Sequence, residues 1–151
     1  MMERIYEFLK QAGTYYLATD EDGQPRIRPF GTVDLFGGRL YIQTGRKKNC
    51  YRQMKKNPKI EICASLGGEW LRLSATAVEN TDVEAERHLL NQYPELAELY
   101  RPGDGNTVLF ALTDADARIH SLPLRPWRSD SDKEKFRALR GGPWRFPSMP
   151  A

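Results

Sequence analysis

The stretch from Tyr41 to Lys48, which reads YIQTGRKK, has residue types and spacing that suit the binding of an anion. Its alternation predicts a strand that breaks at Thr44 and Gly45, after which a basic run opens a helical segment. The N-terminus of a helix leaves backbone N–H groups free and carries partial positive charge, so a phosphate is favoured there. Thr44 would donate a hydroxyl, Gly45 would let the backbone come close, and the lysines would add charge. The alternative is a solvated hairpin end with ordinary surface lysines.

Two arginines upstream favour the anion site over that alternative. Arg26 and Arg28 alternate within Pro25–Phe36, a segment that is expected to form a strand. A planar guanidinium suits a dianionic phosphate because it donates parallel hydrogen bonds in a fixed geometry. The alternative for both arginines is the solvent-exposed face of a half-buried strand.

The length and composition place limits on the class of protein. A chain of 151 residues that is 40% hydrophobic suffices for one globular domain with its own core. No apolar run reaches the roughly 18 residues that a membrane-spanning helix needs. The N-terminal segment MMERIYEFLKQAG is charged throughout and lacks a signal-peptide core, so we expect a cytoplasmic protein. Cys50 and Cys63 are expected to be buried, reduced thiols, and His88 and His120 are too few to predict a metal site.

The C-terminal segment differs in composition from the rest of the chain. Residues 123–151 hold five of the ten prolines and seven basic against three acidic residues, whereas residues 1–122 are close to neutral. The change predicts a domain at 1–122 followed by a tail at 123–151 that is rich in Pro, Arg and Trp. Nucleic-acid binding would depend on Trp127, Trp144 and the tail arginines, and the near-neutral body argues against it.

Turn residues divide the domain into short elements. Periodicity and capping residues predict helices over Glu3–Ala12, Lys47–Lys56, the segment after an N-cap at Asp82, and Pro94–Tyr100. Alternation predicts strands over Thr14–Thr19, Pro25–Phe36, Arg39–Gln43, Lys59–Ala64, Trp70–Glu79 and Thr107–Leu122, the last with a break near 114–116. This order predicts a mainly β fold with α, namely a six-stranded antiparallel Greek-key-like barrel with flanking short helices.

Four segments in this order resemble the FMN-binding split-barrel superfamily that includes pyridoxamine 5′-phosphate oxidases, and its short members in particular. The segments are ATDEDGQPRIRPFGTVD, LYIQTGRKKN, QMKKNPKIEIC and EWLRLSATAV, and the likeness extends over residues 2–122. The resemblance implies a split β-barrel that forms a homodimer, with two FMN molecules bound at the subunit interface.

The resemblance also implies roles for the matching residues. Arg28 would reach the FMN phosphate, and the strand backbone at 29–32 would run along the flavin ring. Of Gln43 and Thr44, one would lie near the ring and the other on the phosphate, and Trp70 would approach the flavin from the partner subunit. The residues assigned to FMN binding are Arg26, Arg28, Pro29, Phe30, Gly31, Thr32, Gln43, Thr44, Lys47, Lys48, Asn49 and Trp70.

The chain departs from the pattern of vitamin-oxidising members. Their lysine at the end of the second strand falls near Val33-Asp34 and is missing, as are the longer C-terminal segments that hold the vitamin. A serine and a lysine common ahead of the helix fall at Lys48 and Cys50, so the cations lie earlier, at Lys47 and Lys48, and Asn49 could supply an amide. These departures are compatible with flavin binding and give little reason to expect vitamin oxidation.

We therefore expect an FMN-dependent oxidoreductase that acts on a small molecule, because the flavin carries the redox chemistry and the protein has only to hold and tune it. The sequence shows no catalytic triad or carboxylate pair, so catalytic residues are not assigned. Phe30 and Trp70 could wall an apolar substrate slot, whereas core packing is the expectation for Tyr16. The alternative is a non-catalytic FMN carrier or a stress-associated flavin protein.

Overall fold

The computed structural model describes residues 1–121, and the predicted tail lies outside the described residues. The helices are α1 (Met2–Ala12), α2 (Asn49–Lys56) and α3 (Val83–Asn91), and a single 3-10 turn, Pro94–Leu96, follows α3. The strands are β1 (Tyr15–Glu21), β2 (Gln24–Phe30), β3 (Asp34–Phe36), β4 (Arg39–Gly45), β5 (Lys59–Leu66), β6 (Glu69–Asn80) and β7 (Thr107–Ser121). None of these helices is both long and apolar enough to cross a membrane.

The strands form one antiparallel sheet in the order β2-β1-β5-β6-β7-β4-β3. Strands β2 and β3 stand at its two edges and do not pair with each other, so the sheet is not closed into a complete barrel. This mainly β architecture with flanking helices confirms the predicted fold class and is consistent with a split barrel. The order places β4, which carries most of the stretch predicted to bind an anion, between β3 and β7.

The sheet has seven strands instead of the predicted six, because the predicted strand Pro25–Phe36 is two strands. Residues 31–33 leave the sheet, and hydroxyl groups from other parts of the chain bond their backbone. Conversely, β7 is one continuous strand through the predicted break. The irregularity there is a β-bulge opposite Ser74 and Thr76, at which Asp114 adopts a φ of 50°.

The helix boundaries follow local capping. The carboxylate of Asp82 accepts a hydrogen bond from the Glu84 amide and caps α3, as predicted. Helix α2 begins at Asn49 and not at Lys47, because Lys48 is still extended and serves as its N-cap. The predicted helix Pro94–Tyr100 is reduced to the 3-10 turn.

Two apolar clusters fix β4 from opposite faces, since alternate residues of a strand point to opposite sides. One cluster joins the sheet to α1 and α2 and includes Ile42, Cys50 and Met54. The other joins the sheet to α3 and includes Tyr41 and Leu89. Strand β4 is therefore buried on both faces from Leu40 to Gly45 and provides a rigid support. The prediction that Tyr16 packs in the core is wrong, because its side chain lies on the outer face of the sheet and is 50% exposed.

Candidate functional site

A cleft of about 280 Å³ lies where the end of β2, the end of β4 and the start of α2 meet. We call it the β2–β4 cleft. Of the residues predicted to bind FMN, those that line it are Pro29, Phe30, Gly31, Thr32, Gln43, Thr44 and Lys48. The opposite wall comes from the segment that follows α3 and consists of Tyr93, Glu95, Leu96, Leu99 and Tyr100. The fold therefore brings together residues that are up to 71 positions apart in the chain, from Pro29 to Tyr100.

The loop of residues 31–33, which links β2 to β3, forms part of the near wall. The hydroxyl of Tyr15 donates to the carbonyl of Thr32 at 2.6 Å. The hydroxyl of Tyr93 accepts from the Val33 amide and donates to the Val33 carbonyl, both at 3.0 Å. Thr32 Oγ1 bonds the amide and carbonyl of Gln43 at 3.3 Å. The loop is thus held by side-chain hydrogen bonds, including those of Thr32 to β4, and not by a backbone ladder with a neighbouring strand.

Burial raises the pKa of the Tyr15 phenol well above its ordinary value, and the nearby Tyr93 adds to the effect. The ring of Tyr15 is fully buried in the core. Its hydroxyl therefore stays protonated at neutral pH and remains a hydrogen-bond donor to Thr32.

The far wall packs directly against β4 at Gly45. A Cβ atom at Gly45 would lie 2.9 Å from the Tyr100 hydroxyl and 3.2 Å from Cε1 of the same ring, so a larger residue there would force this ring to shift. From the sequence, an anion was expected to come close to the backbone at Gly45. In the structure, the ring of Tyr100 comes close to it instead. The ammonium of Lys48 lies 5.9 Å from the centroid of this ring, at the start of α2.

Two polar residues of β4 have their side chains engaged within the chain. The hydroxyl of Thr44 lies 3.2 Å from the thiol of Cys50, and Thr44 is buried. The side-chain amide of Gln43 donates to the Thr44 carbonyl at 3.1 Å. In this structure the Thr44 hydroxyl therefore faces α2, and it would have to change partner to contact a ligand.

Arg28 lies beside α2, just before the cleft residues Pro29 and Phe30. Its guanidinium donates to Oγ1 of Thr19 at 2.7 Å, to Oε1 of Gln53 at 2.6 Å and to the Leu17 carbonyl at 3.2 Å. All these acceptors are neutral oxygens. Among the described residues, no carboxylate lies within ion-pair distance of this guanidinium.

Partial burial lowers the pKa of Arg28 from its usual value, and the neighbouring Arg26 acts in the same direction, while Cys50 and Glu21 oppose them. An arginine nevertheless stays protonated in proteins. Arg28 is therefore a partly buried cation that forms no direct ion pair among the described residues, although Glu21 lies near enough to stabilise its charge.

The remaining predicted residues lie outside the β2–β4 cleft. Arg26 forms an ion pair with Glu21 at 2.6 Å, so its charge is compensated. Its side chain is about half-exposed. Lys47 is exposed in the turn before α2, and its carbonyl accepts from Arg52 at 3.3 Å. Asn49 opens α2, and its side-chain oxygen accepts from Arg52 as well.

Trp70 lies on the β5–β6 hairpin, and its own chain does not bring it into the β2–β4 cleft. Its ring stacks on His120 with centroids 4.5 Å apart, and the Arg72 guanidinium lies 5.2 Å from its centroid. Within one chain, the structure thus separates Trp70 from the other predicted residues.

A larger groove of about 450 Å³ lies elsewhere on the domain and has a mixed lining that includes Asp20, Lys59 and Asp114. Its lining comes mainly from five strands and contains no aromatic side chain and none of the residues predicted to bind FMN. The β2–β4 cleft combines tyrosine side chains with Lys48 and with the nearby Arg28, neither of which forms an ion pair within residues 1–121, and is therefore the stronger candidate. In the described part of the chain, no group of His, Cys, Asp and Glu is arranged to hold a metal ion.

The wall formed by Tyr93–Tyr100 was not predicted from the sequence. The two tyrosines flank a proline-interrupted segment, which alone indicates only the end of a helix. Their contacts with Val33 and Gly45 span large separations in the chain, so no local pattern reports them.

A family model described as pyridoxamine 5′-phosphate oxidase matches residues 1–121. The chain therefore belongs to the pyridoxamine 5′-phosphate oxidase-like superfamily, which confirms the resemblance found in the sequence.

Solved structures agree with this assignment. A NimC/NimA family protein from Clostridium acetobutylicum is 39% identical, with a TM-score of 0.77 over 80% of this chain and 87% of that one. An F420 reductase is 18% identical, with a TM-score of 0.58 over 74% of this chain and 94% of that one. A FAD-binding protein from Mesorhizobium loti is 16% identical, with a TM-score of 0.54 over 80% of this chain and 96% of that one. The last two show the shared fold alone. No curated protein gives a significant match.

Proposed function

We propose that this chain binds FMN as a homodimer and acts as a flavin-dependent oxidoreductase on a small molecule. The observation that carries the proposal is Arg28, a partly buried guanidinium that bonds only neutral oxygens beside the first turns of α2. Partial burial of a charge costs free energy, and a bound anion would relieve that cost. A phosphate placed there would also meet the start of a helix, where Lys48 is the N-cap.

The arrangement of Arg28 and the neighbouring cleft residues fits FMN, which has a phosphate at one end and a ring system at the other. The cation lies at the end of β2, and the next residues, 29–32, line the β2–β4 cleft. The phosphate end would thus face Arg28 while the ring end would lie along Pro29 and Phe30. When bound, the flavin supplies the redox chemistry, and the chain's residues orient it and limit the access of water.

The dimer is proposed because Trp70, to which the family resemblance gives a place beside the flavin, lies outside the cleft of its own chain. Trp70 is held in a stack with His120, away from the cleft of its own chain. In the proposed dimer, Trp70 of the partner subunit would cover the open side of the flavin. Two apolar side chains on the outer face of the sheet, Tyr16 at 50% and Ile27 at 68% exposure, are available for burial in an interface.

The decisive experiment is a calorimetric titration of the purified protein with FMN and riboflavin, which differ by the phosphate alone. A site that reads the phosphate should bind FMN about tenfold or more tightly, since charge-assisted bonds contribute roughly 1.5–3 kcal/mol each. Equal affinities would reject the proposal. FAD and F420 should be titrated in the same series, because proteins of similar fold are described as a FAD-binding protein and an F420 reductase.

Catalysis is tested separately from binding. An enzyme should reoxidise its reduced flavin rapidly when a suitable acceptor is added, and should turn over with a coupled electron donor. A protein that binds FMN tightly but shows neither reaction would be a carrier.

A further inference from the structure

Tyr93 makes a contact that is unusual for a side chain, because one oxygen satisfies both backbone groups of another residue. Its hydroxyl accepts from the Val33 amide and donates to the Val33 carbonyl, both at 3.0 Å. Val33 lies in the loop that separates β2 from β3 and so has no strand partner for these groups. The hydroxyl takes the place of a neighbouring strand.

The ring of Tyr93 is itself held on a second side. The ammonium of Lys10 lies 3.9 Å from the ring centroid and also donates to the side chain of Gln92 at 3.2 Å. The Tyr6 hydroxyl donates to the same oxygen of Gln92 at 3.0 Å. Helix α1 therefore fixes the base of the segment from which Tyr93 reaches the loop.

Tyr93 also lines the β2–β4 cleft, on the wall opposite Pro29 and Phe30. It thus belongs to one wall and fixes the backbone of the other. These hydrogen bonds therefore link the two walls directly.

We propose that Tyr93 is a positioning residue that sets the cleft width for the flavin ring by holding Val33. The inference rests on the proposed flavin binding and adds a residue to which the sequence assigned no role. Without the hydroxyl, the Val33 amide and carbonyl would lose their partners and the loop would relax towards water. A displacement of about 1 Å in a supporting residue is sufficient to weaken a preorganised site.

The test compares Tyr93→Phe with the unmodified protein in titrations with FMN and with riboflavin. Since Tyr93 acts at the ring end, the variant should weaken both ligands by the same factor, about tenfold, and leave their affinity ratio unchanged. Arg28→Ala should instead reduce the ratio, because it acts at the phosphate end. The visible circular dichroism of the bound flavin should also change in Tyr93→Phe, as the asymmetric surroundings of the ring have moved.

Hydrogen exchange provides a readout that does not need a ligand. The amide of Val33 should exchange faster in Tyr93→Phe than in the unmodified protein. Tyr51→Phe is the matched control, because its hydroxyl bonds Arg46 and Glu79 and contacts neither the loop nor the β2–β4 cleft. It should leave both the Val33 exchange rate and the flavin affinities unchanged.

The possible results are distinct. If the unmodified protein binds neither flavin, both the proposed function and this inference are wrong. If it binds FMN, and Tyr93→Phe binds FMN equally well with the same dichroism, only the positioning role is wrong. An unchanged Val33 exchange rate would likewise overturn the positioning role, because the hydroxyl would not be holding the loop.

Discussion

Nη2 of Arg28 donates a hydrogen bond to Oε1 of Gln53 across 2.6 Å and so ties β2 to α2. The same Gln53 oxygen accepts from the Thr19 hydroxyl at 2.7 Å. These neutral contacts orient the guanidinium without neutralising it, which leaves its charge available to an anion.

The first prediction concerns this charge. Arg28→Ala should lower FMN affinity by about 1.5–3 kcal/mol, as expected for a charge-assisted bond to phosphate. Arg28→Lys should recover part of the loss, because a lysine keeps the charge but not the planar geometry. Titration calorimetry measures both. Arg87→Ala is the control, since Arg87 is exposed on α3 and, among the residues that the structure describes, pairs with Glu84 of its own helix alone, at 3.6 Å. Equal losses in Arg28→Ala and Arg87→Ala would contradict the role of Arg28.

The second prediction concerns the packing of Tyr100 on β4. Gly45→Ala should destabilise the protein by roughly 1–3 kcal/mol, because the added methyl overlaps with the Tyr100 ring. Thermal unfolding measures the change. In Gly31→Ala the nearest atom would lie 3.6 Å from the new methyl, so this variant should be tolerated. A Gly45→Ala protein as stable as Gly31→Ala would show that the ring moves aside freely.

The third prediction concerns alkaline pH. The folded-state pKa of Tyr15 lies well above the ordinary value of 10.0, so the unfolded chain releases this proton first as pH rises. The stabilisation is complete below about pH 10 and falls by about 1.4 kcal/mol per pH unit up to the folded-state pKa. Urea unfolding at several pH values measures the free energy of unfolding. With rising pH it should fall less in Tyr15→Phe than in the unmodified protein. Parallel curves for the two proteins would show that Tyr15 does not contribute to alkaline unfolding.

The fourth prediction concerns the proposed dimer. Trp70→Ala should weaken FMN binding by about tenfold if the partner subunit covers the flavin, as stacking on aromatic side chains contributes roughly 1–3 kcal/mol. Phe36→Ala is the control. It removes a comparable aromatic contact, in which the ring centroids of Phe36 and His88 lie 4.7 Å apart, and it should leave FMN binding unchanged. Sedimentation of the FMN-loaded protein should show a dimer. A monomer with full FMN occupancy would rule out the shared site.

The fifth prediction concerns the tail. A chain that ends at Leu122 should keep its fold, because every element described here lies within residues 1–121. We hypothesise that the tail, around Trp127 or Trp144, packs near the open side of the flavin and restricts which substrates enter. Truncation should then alter the kinetics of flavin reduction. If the melting temperature, the dimer and the reduction kinetics all stay the same, the tail has no such role.

Local patterns in the sequence were sufficient for the fold class and for most of one wall of the site. Strand alternation and the capping residue Asp82 depend on interactions between near neighbours, so they are readable without a structure. The order of segments such as QPRIRPFGTVD and YIQTGRKK placed Pro29–Thr32 and Gln43–Lys48 in one family pattern, and the cleft contains most of these residues.

The tertiary structure alone decided how that wall is supported and what faces it. The division of Pro25–Phe36 into two strands depends on hydroxyl groups of Tyr15 and Tyr93, which lie far from the loop in the chain. The contacts that orient the Arg28 guanidinium depend equally on distant neighbours, because Gln53 is close only after α2 packs on β1. Periodicity records which face of an element is buried, but not which distant side chain meets it, and those long-range contacts define this site.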